Sequence, residues 1–135
     1  MKLLKITLLL VAGVLFFNSC KNYEEDIVGT WNFQTFDNTP QGTVTWTFQD
    51  NGTLIRVSTA SGDLKFDSCN YSIDKNLFKK HLIITNSKDM PGIASVNGKF
   101  RIEVFKDDIL KMTRFELEDG EKGGAYLRCE LMRKQ

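Results

Sequence analysis

The sequence predicts an all-β fold, an eight-stranded antiparallel up-and-down barrel. Three features point there. From Val28 onward, strand-like runs alternate with turn residues at hairpin spacing. The clearest run, Thr43 to Phe48, puts Val44, Trp46 and Phe48 on one face and three threonines on the other, the period-2 pattern of a half-buried strand. No segment in this region sustains a helical period. Eight strands in meander order close on themselves and remove exposed edges, while a two-sheet β-sandwich is the rival arrangement. The length of 135 residues suits one domain with one modest core. With 10 Phe and only 2 Pro, the composition fits strands packed on aromatics. A formal net charge of +1 gives no electrostatic case for nucleic acid as a partner.

The elements follow in order. The first run is Ile27 to Phe36, and a short connection, Asp37 to Gly42, leads to Thr43–Phe48. Asn51-Gly52 then marks a tight hairpin, because both residues accept positive φ. The third run, Thr53 to Thr59, turns through Ala60–Asp63 into the fourth, Leu64 to Ile73. In that fourth run Leu64 and Phe66 share one parity, and Cys69, Tyr71 and Ile73 share the other. A β-bulge near Asp67-Ser68 is expected to bring both sets inward. His81 to Thr85 is the fifth run. Asn86 to Gly98 is the longest connection, followed by Lys99–Phe105 and the Asp107-Asp108 turn. The seventh run, Ile109 to Leu117, slips parity between Leu110/Met112 and Phe115/Leu117, which predicts a second bulge. A glycine-rich loop, Glu118 to Gly124, leads to the last run, Ala125 to Arg133.

Ahead of the barrel lies a leader. Lys2 and Lys5 precede an apolar run from Ile6 to Phe17, which ends at Asn18-Ser19-Cys20. A dozen apolar residues fall short of the roughly 20 that span a bilayer as a helix, so residues 1–19 read as a cleaved export signal. A small residue before a cysteine at the end of such a run resembles the lipobox of bacterial lipoproteins, in the looser form found in Bacteroidota. That resemblance implies cleavage between Ser19 and Cys20, with acyl chains on the Cys20 sulfur and amine, and an outer-membrane address. The membrane is then a partner through Cys20. The acids Glu24, Glu25 and Asp26 resemble the surface-export signal of the same group; a solvated tether, or acids placed before a short helical turn, is the other reading. Both faces of the outer membrane stay open. Residues 20–27 are expected to form the tether and 28–135 the barrel domain. Two of the 18 basic residues leave with the leader, so the mature chain is nearly neutral, with 16 basic against 17 acidic residues.

Gly29-Thr30-Trp31, opening the first strand, resembles the Gly-x-Trp signature of lipocalins. The mature chain as a whole resembles short lipocalin-like lipoproteins of Bacteroidota. The resemblance implies that Trp31 packs across a closed barrel base against an arginine of the last strand, Arg133 in preference to Arg128. It also implies a small hydrophobic ligand at the open end. The chain departs from full-length lipocalins in ending at its last strand, without the C-terminal helix. The two helices that fatty-acid-binding proteins insert after their first strand do not fit between Asp37 and Gly42.

Phe33, Trp46, Phe48, Phe66, Tyr71, Phe100 and Phe115 are candidates to line a ligand pocket, or equally to fill the barrel and leave a surface interaction module without a small-molecule ligand. Cys69 and Cys129 form an even pair in an oxidising compartment. A disulfide and two buried thiols both remain open, although runs four and eight are not neighbours in a meander. Tyr126 and Arg128 read as outward-facing, since Leu127, Cys129 and Leu131 make the more natural inward face. A clamp with Arg56 or Arg114 is the competing arrangement. His81, the sole histidine, begins a strand after two lysines and has no nucleophile or carboxylate at catalytic spacing. No catalytic, metal or cofactor role is expected.

Overall fold

The computed structural model describes residues 22–34, 42–59, 62–75, 79–89, 95–122 and 127–135. They form a closed antiparallel barrel whose strands neighbour one another in sequence order. A short helix α1 (Tyr23–Ile27) precedes β1 (Gly29–Phe33), β2 (Val44–Phe48), β3 (Thr53–Ser58) and β4 (Lys65–Lys75). Then come β5 (Lys80–Thr85), β6 (Gly98–Lys106), β7 (Ile109–Glu116) and β8 (Arg128–Arg133). β8 pairs back onto β1, with Trp31 opposite Arg133 and Phe33 opposite Leu131, and this closure rules out the sandwich.

Alternation along each strand sorts side chains into interior and exterior. β2 buries Val44, Trp46 and Phe48; β3 buries Leu54, Arg56 and Ser58; β5 buries Leu82 and Ile84; β8 buries Cys129 and Leu131. Trp31, Trp46, Phe48, Phe100, Leu110, Met112 and Leu131 are among the largest fully buried side chains, so the barrel is filled by aromatic and aliphatic groups.

The parity breaks resolve differently in the two strands. β4 pairs without interruption with β3 and β5, so there is no bulge at Asp67-Ser68. One parity runs the length of the strand, burying Asp67, Cys69 and Ile73 and leaving Leu64 and Phe66 69% and 73% exposed. Phe66 therefore lies on the outer wall and does not line the interior. In β7 the expected irregularity is present. Lys99 pairs with Glu116 and the next residue, Phe100, pairs with Arg114, which leaves Phe115 as the extra residue. Phe115 faces outward, its ring 4.9 Å from that of His81 and 5.7 Å beneath the Arg101 guanidinium, so it too is corrected to the exterior. A further irregularity, at Glu103 of β6, lets both Ile102 and Phe105 pack on the core.

The chain packs onto the barrel earlier than residue 28. α1 lies beneath the barrel, and Ile27 is fully buried. Cys69 and Cys129 are both buried free thiols, which settles that pair against the disulfide: in the closed order, β5, β6 and β7 stand between their strands.

Candidate functional site

Up-and-down connectivity divides the barrel into two ends. One, the base, gathers α1, the starts of β1, β3, β5 and β7, and the chain's last residues. The other, the mouth, gathers the described parts of the connections after β1, β3, β5 and β7. Each end is organised by one arginine.

At the base, Gly29 holds a φ of +131°, a conformation that disfavours any side chain. A Cβ there would stand 2.7 Å from Arg133 Nη1, so glycine also makes room for the guanidinium. That guanidinium lies 4.2 Å from the centroid of the Trp31 ring, a cation–π stack. It donates through Nη1 to the Val28 carbonyl at 2.9 Å, through Nε to the Asp107 carbonyl at 2.9 Å, and through Nη2 to the Asp26 carbonyl. Trp31 Nε1 donates to the Ile27 carbonyl at 2.8 Å. The last carbonyls of a helix have no partners within it, and here Arg133 and Trp31 supply them. Tyr23 adds an edge-on contact to Phe105, with centroids 5.2 Å apart. Gly29, Trp31 and Arg133 thus meet at one point, together with a helix end that sequence reading left as tether.

Toward the mouth, an inward row crosses β2, β3 and β4 at register: Trp46, Arg56, Asp67. Arg56 is wholly buried and Asp67 is 4% exposed. Arg56 donates to Asp67 Oδ2 through Nη2 at 2.7 Å and through Nε at 3.1 Å. Its Nη2 also reaches Ser87 Oγ at 2.7 Å and the Lys88 carbonyl at 2.9 Å, and the Lys88 amide donates to Asp67 Oδ2 at 3.3 Å. A buried arginine is tolerated when its charge and its donors are met, and both are met here.

The same network fastens the connection between β5 and β6. Ser87 Oγ accepts from the Val96 amide at 3.2 Å, the Ser87 amide donates to Asn97 Oδ1 at 2.6 Å, and Asn97 Nδ2 donates to the Ser87 carbonyl at 3.1 Å. Arg114 Nη1 donates to the Asn97 carbonyl at 3.2 Å. With Ser87 and Val96 buried, the described parts of this connection lie over the mouth as a plug. Beside the plug is a cleft of about 580 Å³, lined by Asp89, Ser95, Asn97, Arg114, Leu117, Glu118 and Asp119. It presents three carboxylates and one guanidinium along a wall that also includes Leu117.

The remaining candidates distribute as follows. Phe33 stacks on Trp46 at 5.8 Å, and Phe48 meets Tyr71 edge-on at 5.0 Å, so these four aromatics fill the interior as a group. Phe100 is fully buried. The Tyr71 hydroxyl donates to the Gln49 carbonyl at 2.6 Å; burial, then the charges of Asp50 and Glu24, raise its pKa. Burial pushes the Cys69 thiol up to about 11 and the Cys129 thiol up to about 12, which makes both poor nucleophiles at neutral pH. Arg128 is on the exterior, while Tyr126, Cys20 and residues 1–19 lie outside the described residues. His81 Nδ1 lies 3.9 Å from Asp74 Oδ2. Among the described residues, no group of three or more His, Cys, Asp or Glu is placed to hold a metal ion.

Asp67, Ser87 and Asn97 were not singled out by sequence reading. A signal existed: the parity Asp67, Cys69, Tyr71, Ile73, followed without a bulge, puts Asp67 inside opposite Arg56. No family model and no curated protein matches this chain.

Proposed function

We propose that this chain is an exported lipoprotein, cleaved before Cys20 and held in the outer membrane by its acyl chains, whose filled barrel serves as an interaction module. The anchoring half of the reading rests on the leader and on the cysteine that ends its apolar run. Several acyl chains hold a protein on a bilayer far more firmly than one, at about 0.8 kcal/mol for each buried methylene.

The module half rests on one observation: the Arg56–Asp67 pair occupies the interior toward the mouth and ties the β5–β6 connection over it. An apolar ligand entering from that end would have to displace a fully buried ion pair, which is costly. Trp31, Trp46, Phe48 and Phe100 already fill the apolar interior below. The surface offered to partners is therefore the outside of the mouth, with its cleft of charged and polar side chains.

Native mass spectrometry of the purified chain, combined with titration by an environment-sensitive lipophilic dye, tests this reading. The expected result is an unliganded mass and no saturable dye signal. A stoichiometric apolar ligand would overturn the filled-barrel reading and restore a carrier. Intact mass of the membrane-extracted chain tests the anchor separately: acyl mass on a polypeptide beginning at Cys20 is expected.

A further inference from the structure

We infer that the barrel stands with its α1-covered base toward the bilayer and its cleft-bearing mouth away from it. The inference rests on the anchoring reading above and adds an orientation to it. Its basis is the short distance along the chain between the anchor and the first docked residue. Tyr23 already packs on Phe105 of β6, and the Lys80 ammonium of β5 lies 5.7 Å from the Tyr23 ring centroid. Arg133 and Trp31 fix the other end of the helix through the carbonyls of Asp26, Ile27 and Val28.

From Cys20 to Tyr23 is three residue steps, so the acylated residue lies within about 11 Å of docked backbone even when the chain is fully extended. The barrel wall is longer than that. The eight residues of β7 rise about 3.3 Å each and tilt about 40° from the barrel axis, giving a wall of roughly 20 Å. A mouth turned to the bilayer would need a leash about twice the available length. Charge does not supply the orientation, because the exposed acids of the base, Glu24, Glu25, Asp107 and Asp108, stand among the exposed lysines Lys79, Lys106 and Lys134. The leash alone sets it.

The test uses the full acylated chain in vesicles of phosphatidylethanolamine and phosphatidylglycerol that carry an acceptor dye on a headgroup. A donor dye is placed on Asp107→Cys at the base or on Asp119→Cys at the mouth. Both substituted residues are exposed, and the native thiols Cys69 and Cys129 are buried, so labelling falls on the introduced cysteine. Energy transfer is expected to be about twofold or more stronger from the base than from the mouth. Equal or reversed transfer, in protein whose acyl mass is verified, overturns the orientation and leaves the anchor intact. Absence of acyl mass overturns the anchor and the orientation with it. Ten Gly/Ser residues inserted between Lys21 and Asn22 should erase the difference. Its survival would show that the base binds lipid by itself and would overturn the leash as cause.

Discussion

The base and the mouth of this barrel are each closed around an arginine, and the two arginines are held by opposite means. Arg133 is partly exposed, stacks on an indole, and donates to backbone carbonyls. Arg56 is fully buried and has a carboxylate, a hydroxyl and a carbonyl as partners. A partly exposed cation can trade a lost partner for water, whereas a buried one cannot. Covering a helix end therefore requires an arginine, a glycine and a ring from adjoining strands. Closing the mouth requires a charge pair set in the core, together with a connection shaped to meet it. The base is built from side chains that recognise backbone; the mouth adds a buried ion pair to the side-chain-to-backbone bonds that fasten its connection.

That contrast breaks most visibly at Asp67. Asp67→Ala leaves the Arg56 charge buried and should cost about 3–5 kcal/mol in urea unfolding. The double replacement Arg56→Met with Asp67→Leu should recover most of it, and a double-mutant cycle measures the coupling. At the base, Gly29→Ala forces a side chain into a φ of +131° and against Arg133, for an expected loss of about 2 kcal/mol on the same assay. Arg133→Met should cost less, about 1–2 kcal/mol, since the helix carbonyls it leaves lie at the barrel surface. A loss at Arg133 equal to that at Asp67 would erase the distinction between the ends.

The pH dependence sharpens the comparison. Cys69, Cys129 and Tyr71 all have folded pKa values raised by burial. Their contribution is complete below the unfolded thiol value of about 8.5 and is lost as pH rises toward and through the folded values. Thermal melts should therefore fall from pH 8 to pH 10, and less steeply in a Cys69→Ala, Cys129→Ala variant. The smallest effect belongs to Glu116 on the outer wall, whose pKa is lowered by its hydrogen bond to Lys99, with Nζ and Oε1 2.6 Å apart. Its contribution is present above the unfolded glutamate value of about 4.3 and is lost as pH falls through the depressed folded value. Melts near pH 3 should show a slight loss that Glu116→Gln removes and high salt masks.

The strand ladder was legible because alternation and turn chemistry are local. Thr43–Phe48 and the Asn51-Gly52 turn identify themselves without reference to the rest of the chain. The reading failed at Phe66 because hydrophobicity was weighed residue by residue. An exposed phenylalanine on an outer wall costs little, whereas an unpaired Arg56 inside costs a great deal, so the strand keeps Asp67 inward and leaves Phe66 out. It failed at Phe115 for a related reason: the bulge was anticipated, but which residue it would expel depends on the register with β6.

The sequence by itself determined the number and order of the strands, the turns between them and the tryptophan that opens the wall, since each is set by residues close together in the chain. Only the tertiary structure decided which of two parities faces inward in β4, that two thiols stay apart, and that residues from β3, β4 and the β5–β6 connection join in one network. Those outcomes depend on what stands across the barrel, and a side chain's cost of burial is fixed by its partner there rather than by its neighbours in sequence.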